Sequence, residues 1–122
     1  MRVLKKARLF QQKNMKIDKN IEIAKIIITE EVEKAGYEVD KIILFGSRAR
    51  VDFREDSDYD FFIILKQNIS HDAENSLFVT LNRRMNKLNI SNDIIITSNS
   101  ELKKNNNVGN ITYYALKYGE AV

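Results

Sequence analysis

Hydrophobic residues recur every three to four positions in two stretches of the chain, a spacing that predicts two amphipathic helices. The first stripe consists of Ile21, Ala24, Ile28, Val32 and Ala35. Gly36 follows this stripe and supplies a stop, because glycine readily adopts the left-handed conformation that ends helices. The second helix is predicted over 72–89, and its apolar face consists of Leu77, Leu81, Met85 and Leu88.

Three short apolar runs predict buried strands, because each is too short for a stable helix and too continuous to alternate between core and solvent. The runs cover 41–45, 59–65 and 93–97. Ser98 and Glu101 have the spacing of a capping box, which predicts a short helix after the third strand. A last periodic stretch covers 111–118. The order α-β-β-α-β-α predicts an α/β (α+β) fold, with a small mixed β-sheet flanked by helices.

Composition limits the chemistry that the chain can perform. The 122 residues fit the size of one domain and include no cysteine, which excludes disulfides, thiolate zinc sites and cysteine nucleophiles. A single histidine excludes a cluster of histidine metal ligands. No stretch approaches the ~20 apolar residues of a membrane span, and no secretory signal is visible, so we expect a cytoplasmic protein without a membrane partner.

The positive charge is concentrated at the start of the chain. Residues 1–19 contain seven of the 20 basic groups and one of the 17 acidic groups, so the rest of the chain has a net charge of −3 although the whole has +3. We therefore separate a basic N-terminal extension, 1–17, from a domain over 18–122. The extension is either an unpacked or partly helical segment or a surface for nucleic acid or membrane, and Met15 is an alternative start.

A turn that could bind phosphate follows the first predicted strand. Gly46 and Ser47 stand where that strand ends, and Arg48 and Arg50 come directly after them. Glycine lets backbone N–H groups approach an anion closely, while hydroxyl and guanidinium groups donate hydrogen bonds to phosphate oxygens. The alternative interpretation is a polar surface loop with solvated arginines.

Three aspartates stand at the starts of the other two predicted strands. Asp58 and Asp60 are two positions apart, so their side chains project from the same face of an extended strand. Asp93 opens an otherwise apolar strand, where a carboxylate without a partner is unfavourable. If the two strands are neighbours, the three carboxylates together suit Mg²⁺ or Mn²⁺. Asp93 would then be a third metal ligand or the base for an incoming hydroxyl; otherwise it is a turn or cap residue.

The spacing of these residues resembles a known signature. Gly46-Ser47, ten intervening residues and then Asp58-x-Asp60 are similar to the motif of the DNA-polymerase-β-like nucleotidyltransferase superfamily. The stretch from Phe45 to Phe62 is most similar to the minimal nucleotidyltransferases (MNT), which commonly act as antitoxins of HEPN/MNT toxin–antitoxin pairs. The resemblance covers about 18–122 and implies the nucleotidyltransferase fold.

The resemblance also implies roles for these residues and an activity. Gly46 and Ser47 would hold the phosphates of ATP, with Arg48 and Arg50 neutralising phosphate charge. Two Mg²⁺ or Mn²⁺ ions would be bound by Asp58, Asp60 and Asp93, and Asp93 would also help to deprotonate the acceptor. The implied reaction is transfer of AMP from ATP to a protein hydroxyl, a tyrosine of a separately encoded HEPN ribonuclease toxin with which the chain would assemble.

Three other functions stay open at this stage. One is nucleotidylation of a small molecule, as in antibiotic inactivation. Another is an antitoxin that neutralises its partner by binding alone, without catalysis. The last is nucleic-acid binding through the basic extension, which predicts a strong dependence of affinity on salt.

Overall fold

The computed structural model describes residues 18–49, 57–105 and 119–122. In chain order the elements are α1 (Lys19–Lys34), β1 (Val39–Phe45), a 3₁₀ turn (Gly46–Ala49), β2 (Tyr59–Leu65), α2 (His71–Lys87), β3 (Asn92–Ser98), α3 (Asn99–Asn105) and β4 (Glu120–Ala121). The predicted order of helices and strands is therefore confirmed as far as α3. The basic extension 1–17 and the predicted helix over 111–118 lie outside the described residues.

Four strands form one mixed sheet within the described part of the chain, in the order β3-β2-β1-β4. β1 pairs antiparallel with β2, and β2 pairs parallel with β3, with α2 forming the crossover between the parallel strands. The mixed sheet flanked by helices agrees with the prediction. β4 was not predicted, because its two residues are exposed and show no hydrophobic pattern; it pairs with β1 through backbone contacts at Ile43 and Leu44.

Both long helices begin at polar caps. The Asp18 carboxylate accepts a hydrogen bond from the backbone N–H of Asn20 at the start of α1, and the Ser70 hydroxyl accepts one from Ala73 at the start of α2. Such caps satisfy N–H groups that have no partner within the helix. A third cap lies before α3, where Ser98 Oγ accepts from the Glu101 N–H at 3.2 Å, as the capping-box spacing predicted.

Two of the predicted apolar stripes are wrong at their ends. Ala35 is exposed, since α1 ends at Lys34, and Ile27 takes a place in the core that the stripe did not include. Leu88 is 53% exposed because α2 ends at Lys87 and the chain turns away from the core. In both cases the helix stops before the last residue of the stripe.

The sheet is buried on both faces along β2. Alternate side chains of β2, from Tyr59 to Leu65, pack into a core with α1 and α2. The intervening Phe62 and Ile64 pack on the opposite face with Ile43. This two-sided burial explains why the strand reads as a continuous apolar run. The face that packs against α1 and α2 is called the helical face below. Asp58 and Asp60 lie on the opposite face.

An ion-pair cluster joins the two long helices. Arg84 Nη1 lies 2.9 Å from Glu30 Oε1 and 2.8 Å from Glu31 Oε2. Burial raises the pKa of Glu31, but its hydrogen bonds and ion pairs with Arg84 and Lys34 outweigh burial and leave the pKa below its ordinary value.

None of the helices in the described ranges is both long and apolar enough to span a bilayer.

Candidate active site

One edge of the sheet collects the aspartates that the sequence singled out. β1 ends at this edge, whereas β2 and β3 begin there. In the strand register Asp60 stands opposite Phe45 on one side and opposite Asp93 on the other. Because residues in register on neighbouring strands project from the same face, Asp60 and Asp93 lie side by side. The condition set for Asp93, that the strands over 59–65 and 93–97 are neighbours, is met.

Gly46 lies directly against the Asp60 carboxylate. Its backbone has φ +73°, and a β-carbon built on it would overlap Asp60 Oδ2 and stand 3.0 Å from Asp60 Cγ. A side chain is thus excluded both by backbone conformation and by lack of space. Gly46 begins the 3₁₀ turn, which includes the backbone of Ser47, while Arg50 lies outside the described residues.

The environment of Asp60 disfavours its negative charge. Burial raises the pKa of this carboxyl, and the neighbouring carboxylates of Asp93 and Asp58 raise it further, to about 6. A bound cation would remove the repulsion that causes the second part of the rise. Carboxylate oxygens are hard ligands of the kind that Mg²⁺ and Mn²⁺ prefer, so the chemical type of these side chains suits such an ion.

Asp58 is held by a residue that sequence reasoning missed. Ser91 Oγ donates a hydrogen bond to Asp58 Oδ1, and the Ser91 carbonyl accepts one from the Tyr59 N–H at 2.9 Å. The parallel register, in which Tyr59 stands opposite Asn92, continues to this preceding pair. The signal for Ser91 was its place two positions before Asp93, matching the place of Asp58 before Asp60.

The three aspartates do not form a compact metal-binding cluster in the structure. Over 18–49, 57–105 and 119–122, no group of three histidine, aspartate or glutamate side chains is close enough to hold a metal ion. Asp60 and Asp93 are adjacent, while Asp58 is engaged with Ser91. The roles of Asp58, Asp60 and Asp93 as metal ligands therefore stay predictions, supported by the register and by the electrostatics of Asp60.

Arg48 lies on the other side of β2 from these carboxylates. Its guanidinium carbon stands 4.2 Å from the centroid of the Tyr59 ring, and its Nε donates to the Ser57 carbonyl at 3.1 Å. The Tyr59 hydroxyl in turn donates to Asp18, 2.9 Å from Oδ2. Burial raises the pKa of Tyr59, and Asp18 adds to the rise although Asn20 and Arg48 oppose it. The role of Arg48 at phosphate stays a prediction.

The comparison with known families agrees with this geometry. The family model described as "Polymerase beta, Nucleotidyltransferase" matches residues 22–112, which is about three quarters of the chain. No curated protein and no solved structure gives a significant match. The matched range includes the turn at Gly46 and all three aspartates at the edge of the sheet. The chain therefore belongs to the polymerase-β-type nucleotidyltransferase family.

Proposed function

We propose that this nucleotidyltransferase moves AMP from ATP to a hydroxyl group of a protein, and that it does so as the antitoxin of a HEPN-type ribonuclease. The observation that carries the catalytic part is the register that sets Asp60 beside Asp93, with Gly46 against the Asp60 carboxylate. The antitoxin part is supported by the resemblance of the stretch from Phe45 to Phe62 to the minimal nucleotidyltransferases.

The residues divide into two groups by chemistry. The turn Gly46–Ala49 follows β1, and its backbone N–H groups and the Ser47 hydroxyl would bind the phosphates of the nucleotide. Asp58, Asp60 and Asp93 would hold Mg²⁺ or Mn²⁺. When bound with the nucleotide, the divalent ions supply charge stabilisation for the entering and leaving oxygens.

Transfer would be an in-line displacement at the α-phosphorus. The acceptor hydroxyl loses its proton, with Asp93 as the candidate base, and its oxygen forms the new bond to the α-phosphorus. The bond from the α-phosphorus to the bridging oxygen of the β-phosphate breaks, and pyrophosphate leaves with that electron pair. Asp93 is exposed and stands beside Asp60, so an acceptor can reach it from solvent.

The deciding experiment offers the full chain a choice of acceptors. The chain is incubated with ATP labelled at the α-phosphate, Mg²⁺ and either the HEPN protein encoded beside it or a panel of hydroxyl-bearing antibiotics. We expect the label on a tyrosine of the HEPN protein, and loss of most of the label with Asp60→Asn, because the divalent ions supply charge stabilisation in the transfer.

A matched control removes a carboxylate elsewhere on the sheet, and two further outcomes would change the proposal. Asp40→Asn removes an exposed carboxylate of β1 on the same sheet, and we expect full transfer from it. Label on the antibiotics alone would replace the protein acceptor by a small molecule. Protection of cells by Asp60→Asn, without any label transfer, would show that binding alone neutralises the partner.

A further inference from the structure

Among the described residues, Arg48 makes two contacts that connect the turn after β1 to the start of β2. Its guanidinium group stacks over the Tyr59 ring, with 4.2 Å between the guanidinium carbon and the ring centroid. Its Nε donates to the carbonyl of Ser57 at 3.1 Å. Ser57 immediately precedes Asp58, so Arg48 connects the two halves of the motif directly.

Tyr59 is itself fixed at its far end. It is buried, with 4% of its surface exposed, and its hydroxyl lies 2.9 and 3.1 Å from the two carboxylate oxygens of Asp18. Asp18 also caps α1 by accepting from the Asn20 N–H at 3.0 Å. The ring beneath Arg48 is thus anchored to the first turn of a helix.

The direction of these contacts matters for the role of Arg48. Tyr59 packs into the core on the helical face, whereas Asp58 and Asp60 precede and follow it and therefore project from the opposite face. A guanidinium group that stacks on Tyr59 is directed toward the helical face. A phosphate ligand would be expected beside the carboxylates and the metal.

We propose that Arg48 is a positioning residue, which holds the turn Gly46–Ala49 against the start of β2 by stacking on Tyr59 and bonding Ser57, and that it does not contact phosphate. Asp18 supports the same arrangement through the Tyr59 hydroxyl. Because nucleotide binding at this turn belongs to the proposed function, the role of Arg48 in binding rests on that function. The contacts among Arg48, Tyr59 and Ser57 do not.

The test is a double-mutant cycle on the full chain with α,β-methylene-ATP and Mg²⁺ as the ligand. Arg48→Met keeps an unbranched side chain and removes the charge, whereas Tyr59→Leu removes the ring and keeps Arg48. Each single variant should weaken binding roughly three- to tenfold, the range expected for a cation–π contact. The losses should be less than additive in the double variant, because the two changes share the stacking interaction.

A second readout needs no nucleotide. Hydrogen exchange of the backbone amides in 46–49 should be faster in both single variants than in wild type, while the amides of 94–96 in β3 should be unchanged. Arg48→Lys, which keeps a cation over the ring and loses the Nε donor, should give intermediate exchange. If Tyr59→Leu fails to fold, Asp18→Ala replaces it as the variant that loosens the ring.

The two readouts fail in different ways. Losses of affinity that add in the double variant, with unchanged exchange at 46–49, would overturn the positioning role and make Arg48 a phosphate ligand. If wild type does not bind α,β-methylene-ATP, the proposed function fails. Exchange at 46–49 then decides the positioning role alone, and unchanged exchange in both single variants overturns it.

Discussion

Gly46 and Asp60 meet so closely that the α-carbon of the glycine occupies the space beside the aspartate carboxylate, and a β-carbon there would overlap Oδ2. Gly46 directly follows β1, Asp60 belongs to the antiparallel neighbour β2, and each is part of one half of the motif that the sequence displays. The spacing between Gly46 and the aspartate pair in the sequence therefore corresponds to a direct contact between Gly46 and Asp60 in the fold.

Gly46→Ala should lower the rate of nucleotidyl transfer about 100-fold while leaving the chain folded. The added β-carbon must displace the Asp60 carboxylate, and displacements of about 1 Å at reacting groups can cost about 100-fold in rate. The left-handed backbone at φ +73° adds a conformational cost of roughly 1–2 kcal/mol. Steady-state transfer from labelled ATP and a thermal melt measure the two effects separately.

Gly36→Ala is the matched control for this change. Gly36 also has a positive φ, +92°, but nothing lies within 4 Å of a β-carbon built there. We expect a similar loss of stability and unchanged transfer. Equal activity of the two variants would show that the contact between Gly46 and Asp60 has no part in catalysis.

Asp60→Asn should stabilise the metal-free protein at neutral pH and have little effect near pH 4. The pKa of Asp60 is raised from 3.8 to about 6 in the folded chain, so the folded state binds this proton more tightly than the unfolded state. Stability from this group is therefore full below about pH 3.8, falls as the pH rises toward 6 and stays low above it. Asparagine removes the charge and, with it, this loss.

Melting temperatures of both proteins between pH 4 and pH 8, in EDTA, measure the difference. The advantage of Asp60→Asn should grow through the window from 4 to 6 and level off above it. Mg²⁺ should then raise the melting temperature of wild type more than that of the variant, because ligand binding to the native state adds stability. A constant difference across the whole pH range would contradict the raised pKa.

Ser91→Ala should weaken divalent-ion binding about tenfold, because partners that orient a ligand typically contribute 10- to 100-fold to metal affinity. The change removes the hydroxyl that donates to Asp58 Oδ1 and keeps the backbone bond from Tyr59 N–H to the Ser91 carbonyl. Mn²⁺ titration followed by electron paramagnetic resonance measures the affinity. Ser100→Ala removes a hydroxyl that bonds Asn68 and should leave Mn²⁺ affinity unchanged.

Arg84→Met should lower the melting temperature by a few degrees without affecting transfer. Arg84 bonds Glu30 and Glu31 across the two long helices, and ion pairs at a protein surface contribute about 0.2–1 kcal/mol each. The difference from wild type should shrink in 1 M NaCl, where exposed charges are screened. Arg83→Met is the control, because Arg83 forms no ion pair within the described ranges. Equal losses from the two variants would contradict a specific role for Arg84.

The sequence predicted the elements well where one residue type decides them. The apolar runs identified all three long strands, and Ser98 identified the start of α3. The strand β4 could not be found this way, since its pairing with β1 uses backbone groups that any residue carries. Helix ends were predicted less accurately than strands, because Leu88 continues the apolar periodicity although the backbone has already left the helix.

The site was predictable in its carboxylates and less so in their supports. Asp60 and Asp93 stood out because charged residues at apolar strands require an explanation. Ser91 and Tyr59 carry no charge that singles them out, since serine in a turn and tyrosine in a strand are ordinary, and the place of Ser91 two positions before Asp93 is a weak signal by itself. Their importance depends on the register of β2 and β3, which brings Ser91 within hydrogen-bonding distance of Asp58.

That register makes correct folding and a usable site a single requirement. Asp60 and Asp93 belong to parallel strands whose crossover includes α2, so they meet only after this long connection has closed. A slip of β3 by one residue would turn Asp93 toward the helical core and bring Ile94 to the site, because strand side chains alternate between faces. The burial of Ile94 and Ile96 in that core opposes the slip. The buried isoleucines of β3 thereby fix the face on which its one acidic side chain, Asp93, lies.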